Sequence, residues 1–492
     1  MVILRGEDGF AAIEGDEPRM YAIVAVRNYD EMVGALGGDA SELVTTLSLG
    51  DEDVYASNLG GGFCALAPDA SLLKGAGTAR GMLGAHEAFL GEIGRRVVGE
   101  NDVSVALNIS AFRPAIESGF GEMRSTMDDM AMMMGDQGAG IEQFIRGLNG
   151  LEQMLLDDGR AAVLGLDVDE HGFSIDAGVQ FSEDSQAAEL ASSPGHAKAM
   201  LDRVPDVPII FAFSMDMSSP AMKEWIADLV SGASDMGPDK AMFGMMNVSD
   251  LMDQQDGSAF IMGDSPSLMM GGMFQNMLEF KSTKDSKNFI GETRQLVQKM
   301  DGMSQGGITF NTTLDAGAKT IEGVKVDAWS MRMTPDPENP AAGQMAMVFP
   351  MIFGPNMGPQ GYYAAVDGGL ITTMGQNDAL MAKAIASARG GGGLSSNEKM
   401  RRAMSHQPED AVATVFIDYG RLGKQVMNMA AMMGQQAPFE IPEEMDLIGM
   451  SIATSGGGVQ GRIHVPQDLL DLATKFTALQ NENDRNGGGP RF

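Results

Sequence analysis

Apolar and polar residues alternate along Ala161–Phe181, AAVLGLDVDEHGFSIDAGVQF, a period of two that reads as a β-hairpin with a tight polar turn. SEDSQAAEL follows at once and reads as a helix. Leu164, Leu166 and Val168 answer Phe173, Ile175, Ala177, Val179 and Phe181, so this row is expected to be buried. Asp167, Asp169, Asp176 and Gln180 then point outward. Asp446–Phe476 repeats the plan, with Ile448, Met450 and Ile452 against Val459, Ile463 and Val465. Its turn, Ser455-Gly456-Gly457-Gly458, has no acid. The two copies share a core face and not a tip, which marks a structural module.

The same periods divide the rest of the chain. MYAIVAV is a strand, NYDEMVGALGG a short helix stopped by glycines, and LVTTLSL with DVYAS a hairpin around Gly50–Asp53. GGGFCALAP adds a strand, and a helix is expected from about Thr78 to Val98. GENDVSVALNIS is a strand with Val103, Val105, Leu107 and Ile109 on one face. Helices at about Ala115–Met134 and Ile141–Leu156 are broken at Gly135–Gly140. VPDVPIIFAFSMDMSSP is a strand running into a helix, Ala221–Val230. FQNMLEFKST, GITFNTTL with GVKVDAWSMRM, GYYAAVDGGLITTMG and DAVATVFID read as strands or hairpins, and KDSKNFIGETRQLVQKM as a helix. TPDPENP is a loop, because its prolines forbid regular structure. Helices flank Gly390–Gly393.

Hairpins on short loops with blocks of helix between them predict an α+β fold of mainly antiparallel sheets packed with helices, in two duplicated units. The expected divisions are 1–200, a Met- and Gly-rich middle section at 201–273, a repeat of the first unit at 274–480, and a disordered tail at 481–492. A length of 492 residues is too great for one core.

Charge narrows the function. There are 67 acidic against 34 basic residues, a net −33, and such a field repels phosphate backbones and anionic lipid. Nucleic acid is therefore not an expected partner. No apolar run reaches the roughly 18 residues of a membrane-spanning helix. Cys64 is the single cysteine, which excludes an internal disulfide and a thiolate metal cluster.

The string Gly150–Ser192, with Glu100–Pro114 upstream, resembles a group of large exported proteins of Gram-negative bacteria that have no assigned activity. In that group a leader and a further strand-bearing segment precede the region corresponding to MVILRGEDGF. The resemblance implies a periplasmic or exported location. MVILRG itself reads as a strand, so Met1 is expected to be internal to a longer precursor.

Several stretches imitate catalytic or metal motifs. Methionine supplies 43 residues, with runs at Met127–Gln137, Met242–Met252, Ser267–Met277 and Met427–Met433 that are suited to Cu(I) or to a plastic apolar groove. Met123, Met127, Met130 and Met134 also follow helical spacing, which suits a core. Asp167, Asp169, Glu170 and Gly172 resemble the start of a calcium loop, but the twelfth position is Gly178 and the flanks are strands. Asp51, Glu52 and Asp53 are likewise turn acids. Gly302-Met303-Ser304-Gln305-Gly306 matches G-x-S-x-G, but it lies between a helix and a strand rather than strand and helix. Ser396 and Lys399 form S-x-x-K, where Ser396 is expected to cap the next helix. His86, His171, His196, His406 and His464 form no spaced pair, and His464 is expected on an outward strand face. GAGTARG from Gly75 is spaced wrongly for a dinucleotide loop. Trp225 and Trp329 read as packing residues.

No residue is assigned a catalytic, cofactor or metal role, and no cofactor is expected. The leading expectation is a non-enzymatic exported protein that binds or scaffolds in the bacterial envelope, its partner an unknown protein or apolar ligand. The alternatives are a hydrolase with carboxylates converging from separate strands, and a Met-rich copper-binding protein.

Overall fold

The alternating runs become strands and the helical runs become capped helices in the computed structural model of the chain. It describes residues 2–3, 22–25, 28–49, 52–60, 63–73, 83–134, 150, 152–221, 223, 254–265, 272–305, 307–336, 349–350, 353–432, 441–442 and 444–485. The chain forms two units. The first comprises Met1–Asp169, Phe173–Pro194 and Thr454–Arg462, and the second Glu170–Gly172, Gly195–Ala453 and Ile463–Phe492. The architecture is α+β, with mainly antiparallel sheets packed with helices.

The elements of the first unit are β1 (Val2–Ile3), β2 (Ala22–Ala25), α1 (Tyr29–Ala35), β3 (Thr45–Leu49), β4 (Glu52–Gly60), β5 (Phe63–Ala67) and α2 (Ala70–Leu73). They continue with α3 (Leu83–Glu100), β6 (Val103–Asn108), α4 (Ile109–Met134), β7 (Gly159–Asp169), β8 (Gly172–Phe181) and α5 (Gln186–Leu190). A four-stranded sheet, β2-β5-β4-β3, is antiparallel throughout. It shares a core of Tyr29, Val33, Leu47, Ala56 and Cys64 with α1, whose first N–H groups are accepted by the Asn28 side chain. A second sheet runs β1-β6-β7-β8 and continues into residues Gly458–Arg462. Here β1 is parallel to β6, and β6 antiparallel to β7. Helix α3 packs on one face of this sheet through Leu90, Ile93 and Val97 against Ala106 and Val163.

The second unit contains α6 (Ala197–Met200), β9 (Ile209–Asp216), β10 (Gln255–Gly263), β11 (Met277–Thr283), α7 (Ser286–Lys299), β12 (Ser304–Gln305), β13 (Ile308–Ile321) and β14 (Val324–Pro335). These are followed by β15 (Gln360–Val366), β16 (Gly369–Thr373), α8 (Asp378–Ala388), α9 (Glu398–Ser405), β17 (Ala411–Ile417), α10 (Tyr419–Met432), β18 (Ile448–Ser455) as far as Ala453, β19 (Gly458–Pro466) from Ile463 onward, and α11 (Gln467–Arg485). Its strands run β18-β17-β9-β10-β11-β16-β15-β14-β13-β12, every pair antiparallel. Alternate side chains feed two cores. Phe280, Ile371, Tyr362 and Val326 pack with Leu380, Met381 and Ile385 of α8 and Met400 of α9. Trp329, Tyr363 and Leu370 pack with Phe289, Ile290 and Val297 of α7.

Three readings need correction. The hairpin faces are inverted toward its tip, where Leu164, Leu166, Val168 and Ile175 are exposed and Asp176 is buried, while at its far end Phe181 is buried as expected, together with Gln180. The reason lies in α3, which sits on the row of small residues that includes Gly165 and Gly178. A Cβ on Gly178 would stand 2.9 Å from Ile93 Cγ2. The cap of α9 is Asn397, which accepts from the N–H groups of Lys399 and Met400, and Ser396 Oγ instead donates to the Gly393 carbonyl at 2.6 Å. Helix α11 continues past Asn481 to Arg485. A strand the sequence did not announce, β10, pairs with β9 and β11 inside the Met- and Gly-rich stretch.

The Gly135–Gly140 break, most of the Ala221–Val230 helix, the Met242–Met252 run, Gly75–Gly81 and Trp225 lie outside the described residues.

Candidate functional site

The sheet face opposite α3 is apolar and open to water. Val103 of β6, Leu164, Leu166 and Val168 of β7 and Ile175 of β8 are between 40% and 58% exposed. Register places Val103 beside Leu166 and Val105 beside Leu164, so the residues form adjacent rows. Covering a half-exposed Leu, Ile or Val returns about 1 kcal/mol, so five of them offer a partner about 5 kcal/mol before association costs. Monomeric soluble proteins rarely leave such contiguous patches uncovered.

The α3 side of the same sheet carries the charge. Asp176 is fully buried and accepts from Gln460 Nε2 at 2.5 Å, Arg462 Nε at 2.8 Å and Arg462 Nη2 at 2.8 Å. Arg462 also donates to Glu100 Oε2 at 2.7 Å. Burial works against the Arg462 charge, but the hydrogen bond and attraction from Asp176, joined by Glu100, outweigh it and raise its pKa. A buried, bidentate pair of this kind specifies register and offers no nucleophile. Nearby, burial raises the pKa of Asp167, with Asp102 and Asp169 adding repulsion. Asp102 Oδ2 also accepts the Val168 N–H at 3.2 Å, a turn-fixing bond. The calcium-like acids therefore lie at the end of a hairpin, where Glu170 is exposed.

The histidines are where the sequence is least informative. Three of the five converge in the second unit. The rings of His406 and His464 stack with centroids 3.9 Å apart and planes 4° from parallel, and His171 meets His406 edge-on at 5.8 Å. His464, read as outward, is 3% exposed. With Arg402, Ser405, Asp446 and Leu447 the three rings line a cavity of about 150 Å³. A metal must lie in the plane of every imidazole that binds it, and two stacked rings whose planes are 4° from parallel share no such point near them. Among the described residues no group of three or more His, Cys, Asp or Glu side chains could hold a metal ion. Charging both stacked rings at 3.9 Å would cost on the order of 4 kcal/mol at an effective dielectric constant of about 20. His86 belongs to α3, and the His196 N–H donates to Asp216 Oδ2 at 2.7 Å.

A Lys-Tyr-Asp cluster in the second unit imitates an active site. Lys319 Nζ donates to Tyr362 Oη at 2.7 Å and to Asp378 Oδ1 at 2.9 Å, and Tyr362 Oη donates to Asp378 Oδ1 at 2.7 Å. Burial raises the Tyr362 pKa, the opposite of an activated phenol, and hydrogen bonds from Lys319 and Tyr362 lower that of Asp378. These groups lock the start of α8 to β13 and β15. Ser304 sits in the short strand β12 after α7 and shares a 2.8 Å bond with Thr309 Oγ1. Lys399 is held by Asp418 Oδ2 at 2.6 Å. Trp329 packs in the core, stacked on Tyr363 at 5.5 Å.

In the first unit a second cavity, of about 450 Å³, is rimmed by Glu183, Asp184 and Glu189 and floored by Gly456 and Gly457. Gln180 fixes this floor by donating to the Gly456 carbonyl at 2.9 Å.

No protein-family model matches this chain, and no curated protein does. Among solved structures, crystal form IV of TP0453 aligns over 55% of this chain and 78% of its own, at 8% identity and a TM-score of 0.25. Crystal form III aligns over 52% and 74%, at 9% identity and the same TM-score. Likeness at that level carries no argument.

Proposed function

We propose that the chain is a non-enzymatic binding protein of the bacterial envelope that takes up an apolar or amphipathic partner on the open face of β6, β7 and β8. The supporting observation is the exposed row Val103, Leu164, Leu166, Val168 and Ile175. Among the described residues no helix is long and apolar enough to cross a membrane. The described polar clusters favour the same reading. Asp176 and Asp378 are each paired with a cation, Lys399 is paired with the Asp418 carboxylate, and burial raises the Tyr362 pKa. Export is supported by the resemblance of Gly150–Ser192 to exported proteins, and fractionation of the source cell tests it.

Binding is tested by titrating the native chain with bis-ANS, a fluorescent amphipathic probe with a large aromatic body and two sulfonates. Saturable binding at micromolar concentration is expected, weakened at least tenfold in a Leu164→Ser, Leu166→Ser, Ile175→Thr variant whose circular dichroism is unchanged. Equal binding by both proteins would exclude this face.

A further inference from the structure

The stacked histidines have no part in that binding face, and their geometry points elsewhere. They join three elements of the second unit: the turn before β8 at His171, the C-terminal end of α9 at His406, and β19 at His464. The joint is closely fitted. Gln467 N–H donates to the His171 carbonyl at 2.8 Å, and Gly172, at φ 146°, lies so near the Val465 carbonyl that a Cβ would collide with it.

We propose that His171, His406 and His464 form an acid-sensitive latch, closed while the stacked pair carries at most one proton and opened by the second. The surrounding charges set the order. The α9 carbonyl end favours a proton on His406, and Glu170 Oε1 lies 3.8 Å from His171 Nε2. From α9 the Arg402 guanidinium faces the cluster and opposes further positive charge; it is tied to Asp446 Oδ1 at 2.8 Å and Glu398 Oε1 at 3.3 Å. Asp446, before β18, is in turn fixed by Asp468 at the start of α11, which accepts its N–H at 3.0 Å. A second proton must go to a buried ring stacked face to face on a charged one, so the closed latch binds it less readily than the open one. By linkage the closed state then gains stability as pH rises and loses it as pH falls through the imidazole range, about 7 to 5.

The test uses the full chain and two readings. Long-range ¹H–¹⁵N spectra of the imidazoles, followed from pH 8 to 4.5, are expected to show two coupled steps at least one pH unit apart. Over the same range the protection of the Gln467 amide against hydrogen exchange is expected to fall at least tenfold. His406→Phe keeps a flat ring and accepts no proton, so its Gln467 protection is expected to be independent of pH. Three independent single-step titrations would overturn the proposal, and so would an acid-dependent loss of protection that persists in His406→Phe. If that variant does not fold, the wild-type titration decides alone.

Discussion

Asp176 and Leu166 show how far a residue's place can depart from its polarity. Asp176 is fully buried between Gln460 and Arg462, whereas Leu166 is exposed on the next strand. Truncating Asp176 to Ala leaves the Arg462 charge in the interior without its main partner, and about 3 kcal/mol of stability is expected to be lost. Leu166→Ser removes a side chain that water already reaches, and a change within about 1 kcal/mol is expected. Urea unfolding of the two variants checks the order, and the reverse order would mean that the Leu166 face is covered. In the sequence this inversion was illegible. Arg462 lies 286 positions from Asp176, and nothing local marks the two as a pair. His464 was misjudged for the same reason, because its stacking partner sits on α9 rather than on a neighbouring strand.

At the scale of elements the sequence was legible wherever period and punctuation agreed. The β7–β8 and β15–β16 hairpins and α7 lie where alternation, tight turns and helical spacing placed them, Asp285 caps α7, and β13 runs on past Leu314 to Ile321. What alternation could not decide was which face a helix would choose. Helix α3 chose the Gly165 and Gly178 side, since close approach rewards small residues as well as large apolar ones. Gly178→Val would thrust methyl groups into Ile93 and Val97, and overpacking of about 1–3 kcal/mol is expected by thermal unfolding. Strand β10, paired with β9 and β11, was missed because the Gln255–Gly263 sequence alternates weakly and lies inside a Met- and Gly-rich stretch. The start of α8 supplies a pH-dependent prediction. Lys319 and Tyr362 hold the Asp378 pKa below the usual carboxylate value, so the stability it adds is present above that value and is lost as pH falls through the lowered one. Lys319→Met is expected to narrow the difference in melting temperature between pH 6 and pH 3, and an unchanged difference would deny Asp378 that role.

For the whole molecule, charge and apolar surface act in different places. A net −33 keeps copies apart and disfavours anionic surfaces, while the open face of β6, β7 and β8 carries an apolar row. Burial of that row on binding is governed by the hydrophobic effect, so added salt is expected to leave probe affinity unchanged or to strengthen it. An affinity that falls steeply with salt would indicate charge recognition instead. Photo-incorporation of bis-ANS into the native chain, followed by peptide mapping, tests the binding face most directly. Label is expected within residues 103–108 and 159–181, and label confined to other parts of the chain would contradict binding at this face.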